Sequence, residues 1–203
     1  MPSFIAWPDR IWVAGTDTNV GKTVVAAALV RQLNASYWKP VQSGWPDDDD
    51  TETVRRLAEV PEHQLLKPAY RFKNPLSPNQ AAEDDGIQPD PVIIRTPDHS
   101  GRLVMEGAGG LMVPITPDFF IIDLMRKLAA PVVLVARTGL GTLNHTFLSL
   151  EAIRAKGLPV LGVVLVGGPQ PRNTRDIREI GRVRILAEIP PMDPVDIRSV
   201  TLG

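Results

Sequence analysis

Nine residues near the start of the chain, Gly15-Thr16-Asp17-Thr18-Asn19-Val20-Gly21-Lys22-Thr23, have the makings of a phosphate-binding loop. Backbone N–H groups in such a loop, with the N-terminus of a following helix, create an anion site. The lysine supplies charge for β- and γ-phosphates, and the threonine hydroxyl can ligate magnesium. The usual pattern has about four residues between its glycines; here there are five. The plainer alternative is a glycine-rich turn with an exposed Lys22.

Two further groups carry complementary chemistry. In Lys39-Pro40-Val41-Gln42-Ser43-Gly44, the lysine can polarise a forming oxyanion or carbamate, and the serine hydroxyl can hold a substrate nitrogen or oxygen. In Glu106-Gly107-Ala108-Gly109-Gly110, a carboxylate beside a phosphate loop is suited to holding magnesium, while the glycines let the backbone approach a ligand. The acidic run Asp47–Asp50 reads as a solvated loop and helix N-terminus, where carboxylates meet the helix dipole favourably. Asp50 is alternatively a second metal carboxylate, with a shift to Asp49 left open. Gly139 to Thr146 leads into another helix with Thr142 as the expected N-cap, and such a terminus can take the carboxylate of a substrate. His145 has no catalytic partner in the pattern and reads as structural. His63 and His99 fall in proline-rich loops, and Trp7, Trp12, Trp38 and Trp45 are scattered as core or surface residues.

These groups need strand ends to hold them. Ile11–Ala14, Ser36–Lys39, Leu103–Met105, Pro131–Ala136, Pro159–Val166 and Ile185–Ile189 read as strands. Lys22–Leu33, Thr51–Glu59, Phe119–Ala129 and Leu143–Lys156 read as helices, the last stopped by Gly157. Pro61–Ser100 holds many of the twenty prolines and reads as loops with at most short elements. Apolar runs without alternation, separated by helices, predict a parallel sheet covered on both faces. Ligands then bind at the carboxyl ends of its strands, and all three groups above follow predicted strands.

Bulk composition narrows the class. With 203 residues, 43% of them hydrophobic, the chain suits one compact domain over 1–203. Twenty-two basic against twenty-three acidic residues give a net charge of −1, with no footprint for nucleic acid or an anionic membrane. The absence of cysteine excludes disulfides, thiolate metal sites and cysteine nucleophiles. Residues 1–10 lack a basic region followed by an apolar run, so no signal peptide is expected. No apolar stretch reaches the ~20 residues of a membrane span. A cytoplasmic protein is the expectation.

Taken in order, Gly15–Thr23, Lys39–Gly44, Glu106–Gly110 and Gly141–His145 resemble the dethiobiotin synthetase family, whose own phosphate loop has the five-residue spacing. The resemblance covers roughly 11–190. It implies an α/β, three-layer P-loop NTPase fold with a mostly parallel sheet and helices on both faces, working as a homodimer. It implies a ligase of biotin biosynthesis that joins 7,8-diaminopelargonic acid and CO2 into a cyclic urea, with ATP and Mg2+. One amine captures CO2 as a carbamate, the carbamate accepts the γ-phosphoryl group, and the second amine closes the ring.

By matched position, Lys22 holds the β- and γ-phosphates, and Thr23, Asp50 and Glu106 hold magnesium. Lys39 stabilises the carbamate and the transferring phosphoryl group. Thr18 and Ser43 contact the diamine or carbamate, and Asn144, from a partner subunit, binds the substrate carboxylate. Nucleotide contacts extend over Asn19, Val20, Gly21, Val24, Gly107, Ala108 and Gly109, and at the base end over Val166, Gly167, Pro190, Pro191 and Met192. Asn19 stands where many relatives carry an acidic residue touching the diamine, and Val166-Gly167 stands where many read adenine with an asparagine–aspartate pair. Base recognition is therefore expected to be loose or carried by backbone near Pro190–Met192, with an open side because the chain ends soon after Pro194.

Two other classes share the loop. A switch ATPase of the chromosome-partitioning or septum-positioning kind would carry an extra lysine where this chain has Asp17, and often an amphipathic membrane-binding tail, a face that 182–203 lacks. An amidotransferase-type synthetase of the cobyrinic acid kind would need a glutaminase domain and its nucleophilic cysteine.

Overall fold

The computed structural model describes residues 6–203, so the signal-peptide reading of residues 1–10 falls partly outside the described residues. Among the described residues, eleven strands and six α-helices follow in chain order: β1 (Arg10–Gly15), α1 (Lys22–Leu33), β2 (Ser36–Trp38), β3 (Val41–Ser43), α2 (Asp50–Ala58), β4 (Leu65–Leu66), β5 (Tyr70–Phe72), α3 (Pro78–Asp84), β6 (Leu103–Gly110), β7 (Pro114–Thr116), β8 (Phe119–Phe120), α4 (Ile121–Leu128), β9 (Val132–Arg137), α5 (Thr142–Ala155), β10 (Val160–Val166), α6 (Pro171–Glu179) and β11 (Ile185–Ile189). Seven of the strands form the central sheet in the order β11-β10-β9-β1-β6-β2-β4. All its pairings are parallel.

Apolar side chains leave both faces of this sheet, as its continuous apolar strands require. Ile11 and Val13 of β1 join Val104, Val133 and Val135 in a core shared with α1 and α2. Trp12 and Ala14, pointing the other way, join Trp38, Met105 and Leu134 in a second core covered by α3, α4, α5 and α6. Three layers result, with helices on both faces. None of the helices among the described residues is long and apolar enough to cross a membrane.

Most expected elements stand within a residue or two of their predicted bounds; the short strands β3 and β7 were not expected, and four further details differ. The third predicted strand does not stop at Met105. β6 continues to Gly110 because it stays paired with β1, Val13 against Glu106 and Gly15 against Gly110, so Glu106 lies inside a strand rather than after one. Phe119 and Phe120, expected in a helix, form β8 against β7. Thr142 is not the cap of α5. Gly141 takes that place with φ +91°, and the Thr142 hydroxyl donates instead to the Arg137 carbonyl. α6 was absent from the expected elements, since only Thr174 and Ile177 of its nine residues are buried and no apolar stripe marks it.

Residues 190–203 do not simply leave one side of the molecule open. They run back over the α1 face, where Ile197 and Leu202 are buried. The Leu202 backbone exchanges two hydrogen bonds with the Gln32 side chain.

Candidate active site

The loop between β1 and α1 is held at both ends. Thr16 N donates to Val135 O at 2.9 Å, fixing the loop's departure from β1. At its far end Gly21 has φ +94°, and a Cβ there would sit 3.0 Å from a methyl of Val166. Asn19, also left-handed at φ +56°, completes a curve of the kind that aims backbone N–H groups inward. Lys22 is only 6% exposed and lies across Gly15, with its ammonium donating to the Asp17 carbonyl at 2.8 Å. Burial lowers the Lys22 pKa, and the attraction of Glu106 only partly offsets it. The Asp17 side chain accepts from Thr18 N at 2.7 Å and pairs with Arg137 at 2.7 Å, tying the loop to the end of β9.

Four side chains from four different elements meet beside this loop. The Thr23 hydroxyl, on the first turn of α1, lies 2.6 Å from Asp50 Oδ1 and 3.0 Å from Glu106 Oε1. Lys39, following β2, forms an ion pair with Asp50 at the start of α2, and its ammonium lies 3.6 Å from Glu106 Oε1. Tyr37 donates its hydroxyl to Glu106 Oε2 at 2.9 Å.

The surroundings set the charges. Burial pushes the Glu106 carboxyl up, against the pull of Lys39. Burial also acts upward on Asp50, but Lys39 and the hydrogen bonds from Thr23 and Gln42 outweigh it and hold the carboxyl below its usual range. For Lys39 burial works downward, and the attraction of Glu106 and Asp50 overcomes it, so this lysine is a firm cation at neutral pH.

Neighbouring Asp49 has a different task. Its side chain caps α2 by accepting from Thr51 N at 2.9 Å and from Glu52 N. Of the two aspartates, Asp50 is the one that reaches Thr23 and Lys39.

A cavity of about 670 Å³ joins these groups. Of the residues singled out from the sequence, Thr18, Asn19, Gly21, Lys22, Thr23, Val24, Lys39, Ser43, Asp50, Glu106, Ala108 and Gly109 line it. The Ser43 hydroxyl is buried in that wall with no hydrogen-bond partner among the described residues. Val20 instead points its side chain into the α1 core, and a Cβ on Gly107 would meet Ile122's neighbour Ile121, so both offer at most backbone. Val166 and Gly167 stand at the end of β10 behind Gly21, and Pro190–Met192 follow β11 beside them. Asn144 is exposed on the first turn of α5 and does not line the cavity. A second hollow of about 680 Å³ lies over α4, between Met112, Phe119 and Lys156, and holds none of these groups.

Sequence reasoning missed Tyr37 and Gln42. Gln42 is buried, and its side chain fixes the approach to α2 through Asp48 O, Ser43 O and Asp50 N. It also missed the Pro75–Pro78 wall, because nothing in a proline-rich stretch says which strand end it will cross.

The donor set can be tested for magnesium. Thr23, Asp50 and Glu106 present a hydroxyl and two carboxylates, all hard oxygens, as that ion prefers. No group of three or more His, Cys, Asp or Glu suited to a metal exists among the described residues. This set is too sparse to cage an ion alone and fits one that shares its coordination with phosphate oxygens.

Comparison with known proteins agrees with this reading. A family model described as an AAA domain matches residues 9–198. An ATP-dependent dethiobiotin synthetase of Rhodopseudomonas palustris (strain CGA009) is 47% identical over 96% of this chain and 92% of its own. One from Rhizorhabdus wittichii is 46% identical over 92% and 89%. The biotin biosynthesis bifunctional protein BioCD of Bordetella avium is 49% identical over 96% of this chain, which spans 42% of that longer protein.

Among solved structures, a plasmid partition protein of Borrelia burgdorferi aligns with a TM-score of 0.57, over 94% of this chain and 93% of its own. The septum site-determining protein MinD of Pyrococcus horikoshii, complexed with Mg-ADP, aligns at 0.51 over 91% and 82%. At 12% and 14% identity these two share the fold alone. With full-length sequence relatives of one kind, and a phosphate loop that faces Lys39, Asp50 and Glu106 across a single cavity, the chain belongs to the dethiobiotin synthetase family of ATP-dependent ligases.

Proposed function

We propose that this chain closes the ureido ring of dethiobiotin from 7,8-diaminopelargonic acid and CO2, with ATP converted to ADP and phosphate. The observation that carries the reading is the meeting of Thr23, Lys39, Asp50 and Glu106 within 3.6 Å at the mouth of the phosphate loop. One neutral amine of the diamine attacks CO2 and loses a proton, forming a carbamate. The carbamate oxygen takes the γ-phosphoryl group from ATP, giving a carbamic–phosphoric anhydride and ADP. The second amine attacks the same carbon, phosphate leaves, and the ring is closed.

The residues have separable duties. Lys22 and the backbone of Asn19 to Thr23 hold the β- and γ-phosphates. Lys39, flanked by two carboxylates, stabilises the carbamate and the charge on the moving phosphoryl group. Thr18 and Ser43 orient the diamine, a duty that suits the unpartnered Ser43 hydroxyl. Thr23, Asp50 and Glu106 would hold magnesium, which when bound neutralises charge on the terminal phosphate oxygens. Nearly all of this is positioning and electrostatics, which is how phosphoryl transfer is generally accelerated.

At the other end, Val166, Gly167 and Pro190–Met192 take the base, which fits the seating of Val166 against Gly21. Exposed Leu140 and Leu148, beside outward-facing Asn144, support a homodimer in which Asn144 of one subunit reaches the substrate carboxylate in the other. One sheet shared by both cores supports a single domain, and a soluble substrate set supports a cytoplasmic setting.

The test mixes the protein with the diamine, Mg-ATP and labelled bicarbonate. Label should enter a cyclic urea, with one phosphate released per ring. Phosphate release without labelled ring would overturn the proposal.

A further inference from the structure

Asp50 and Glu106 stand close together, and neighbouring carboxylates away from water are costly unless a cation accompanies them. Lys39 supplies it. Its ammonium pairs with Asp50 Oδ2 and lies 3.6 Å from Glu106 Oε1, and Lys39 and Glu106 are both buried. Lys22, the other buried lysine of the cavity, is committed elsewhere, its ammonium donating to the Asp17 carbonyl.

The same two carboxylates carry the oxygens assigned above to magnesium. Asp50 Oδ1 lies 2.6 Å from the Thr23 hydroxyl, and Glu106 Oε1 lies 3.0 Å from it. Octahedral magnesium, with bonds of about 2.0–2.1 Å, sets neighbouring ligand oxygens roughly 2.9 Å apart. Both contacts are near the length of such an edge. Lys39 approaches Glu106 through that same Oε1, and Asp50 through the second oxygen of its carboxylate.

The frame carrying these oxygens is fixed. Glu106 lies within β6, and its Oε2 accepts from Tyr37 at 2.9 Å. Asp50 opens α2, which Asp49 caps, and its backbone N–H donates to the buried Gln42 side chain. Lysine, by contrast, carries its charge on a flexible four-carbon stem. Two cations crowded against one pair of carboxylates repel each other. Lys39 is the group able to swing away.

Resting on the magnesium assignment made above, we infer that Lys39 and the metal ion are alternative counter-cations for Asp50 and Glu106. The lysine satisfies the two carboxylates until another cation does, and then gives them up. Its ammonium is thereby withheld from the reacting groups until Asp50 and Glu106 have a new partner, and is freed into the cavity where a carbamate and a moving phosphoryl group need positive charge. Lys39 guards the metal ligands as well as serving the reaction.

Manganese(II) takes the same oxygen ligands and is followed by electron paramagnetic resonance, so it probes this with no nucleotide and no turnover. Lys39→Met should bind Mn2+ at least about tenfold more tightly than the unaltered chain. Lys39→Arg, which keeps the charge, should bind it as weakly as the unaltered chain does. Adding Asp50→Asn to Lys39→Met should abolish the gain, which separates these ligands from the nearby acidic run Asp47–Asp49. Magnesium should likewise raise the melting temperature of Lys39→Met more than that of the unaltered chain. Lys39→Gln repeats both measurements on a second uncharged side chain, and the melting curves check that each variant folds. Equal Mn2+ affinity in the unaltered chain and the uncharged variants, a gain that outlasts Asp50→Asn, or a matching gain in Lys39→Arg would overturn the inference while leaving ring closure in place. Failure to form the labelled urea would instead remove the proposed function and leave these metal measurements standing.

Discussion

Lys39 is flanked by two carboxylates and is almost buried, so its charge is aimed rather than displayed. Replacing it with alanine should lower ring closure by about 10²–10³-fold while nucleotide binding, followed by calorimetry, persists. Normal turnover by Lys39→Ala would strike it from the mechanism. Tyr37 makes a quieter contribution, giving Glu106 a hydrogen bond inside the protein. Tyr37→Phe leaves that buried carboxylate one donor short, and denaturant titration should show a loss of about 1–3 kcal/mol. Thr23 was legible from the sequence because it sits in a strand–loop–helix pattern, and Lys39 and Glu106 because each directly follows an apolar run. Tyr37 was not, since its partner lies 69 residues away and only the pairing of β2 with β6 brings them together. Asp49 and Asp50 look alike in the sequence; helix geometry makes one a cap and aims the other at Lys39.

At the scale of elements, Asp123 fastens the start of α4 to the end of α5. Its carboxylate accepts from Phe120 N at 3.0 Å and from Lys156 at 2.7 Å. Burial acts upward on this carboxyl, but the Lys156 and Phe120 contacts outweigh it and hold the pKa below the usual value. A depressed folded pKa stabilises the protein above the unfolded value, near 3.9, and the benefit fades as pH falls through the folded one. Asp123→Asn should thus cost about 1 kcal/mol at neutral pH, Lys156 being too exposed to add much. In melting curves at falling pH the gap to the unaltered protein should close below about pH 4; a constant gap would refute the assignment.

Gly167 offers a second test of an element. It has φ +141°, and a Cβ there would come within 2.4 Å of the Thr138 hydroxyl. Gly167→Ala should therefore push the end of β10 away from β9 and lower the melting temperature by several degrees. The periodicity that revealed β9 and β10 had no counterpart in α6, which is polar nearly all round, and a helix held by so few buried residues leaves no stripe to read.

For the whole molecule, the proposed self-association is tested at the outer surface of α5. Leu148 is 62% exposed there, and Leu140, just before the helix, is fully so. Sedimentation should give twice the mass of one chain, and Leu148→Asp should return it to one. A dimer unmoved by that change would place the contact elsewhere. The two-faced core and parallel sheet were legible because apolar runs of this kind fit few architectures. The crossing of the cavity by Pro75–Pro78 was not, since loop paths depend on what they land on.

The sheet order also has a consequence for how such a protein changes over time. β1 divides the sheet: β6 and β2 on one flank supply Glu106 and the approach to Lys39, while β9, β10 and β11 on the other lead to Val166, Gly167 and Pro190–Met192. On the proposed assignment of the base to that second flank, reactivity and nucleoside choice hang from separate supports, and a change on one flank need not disturb the other.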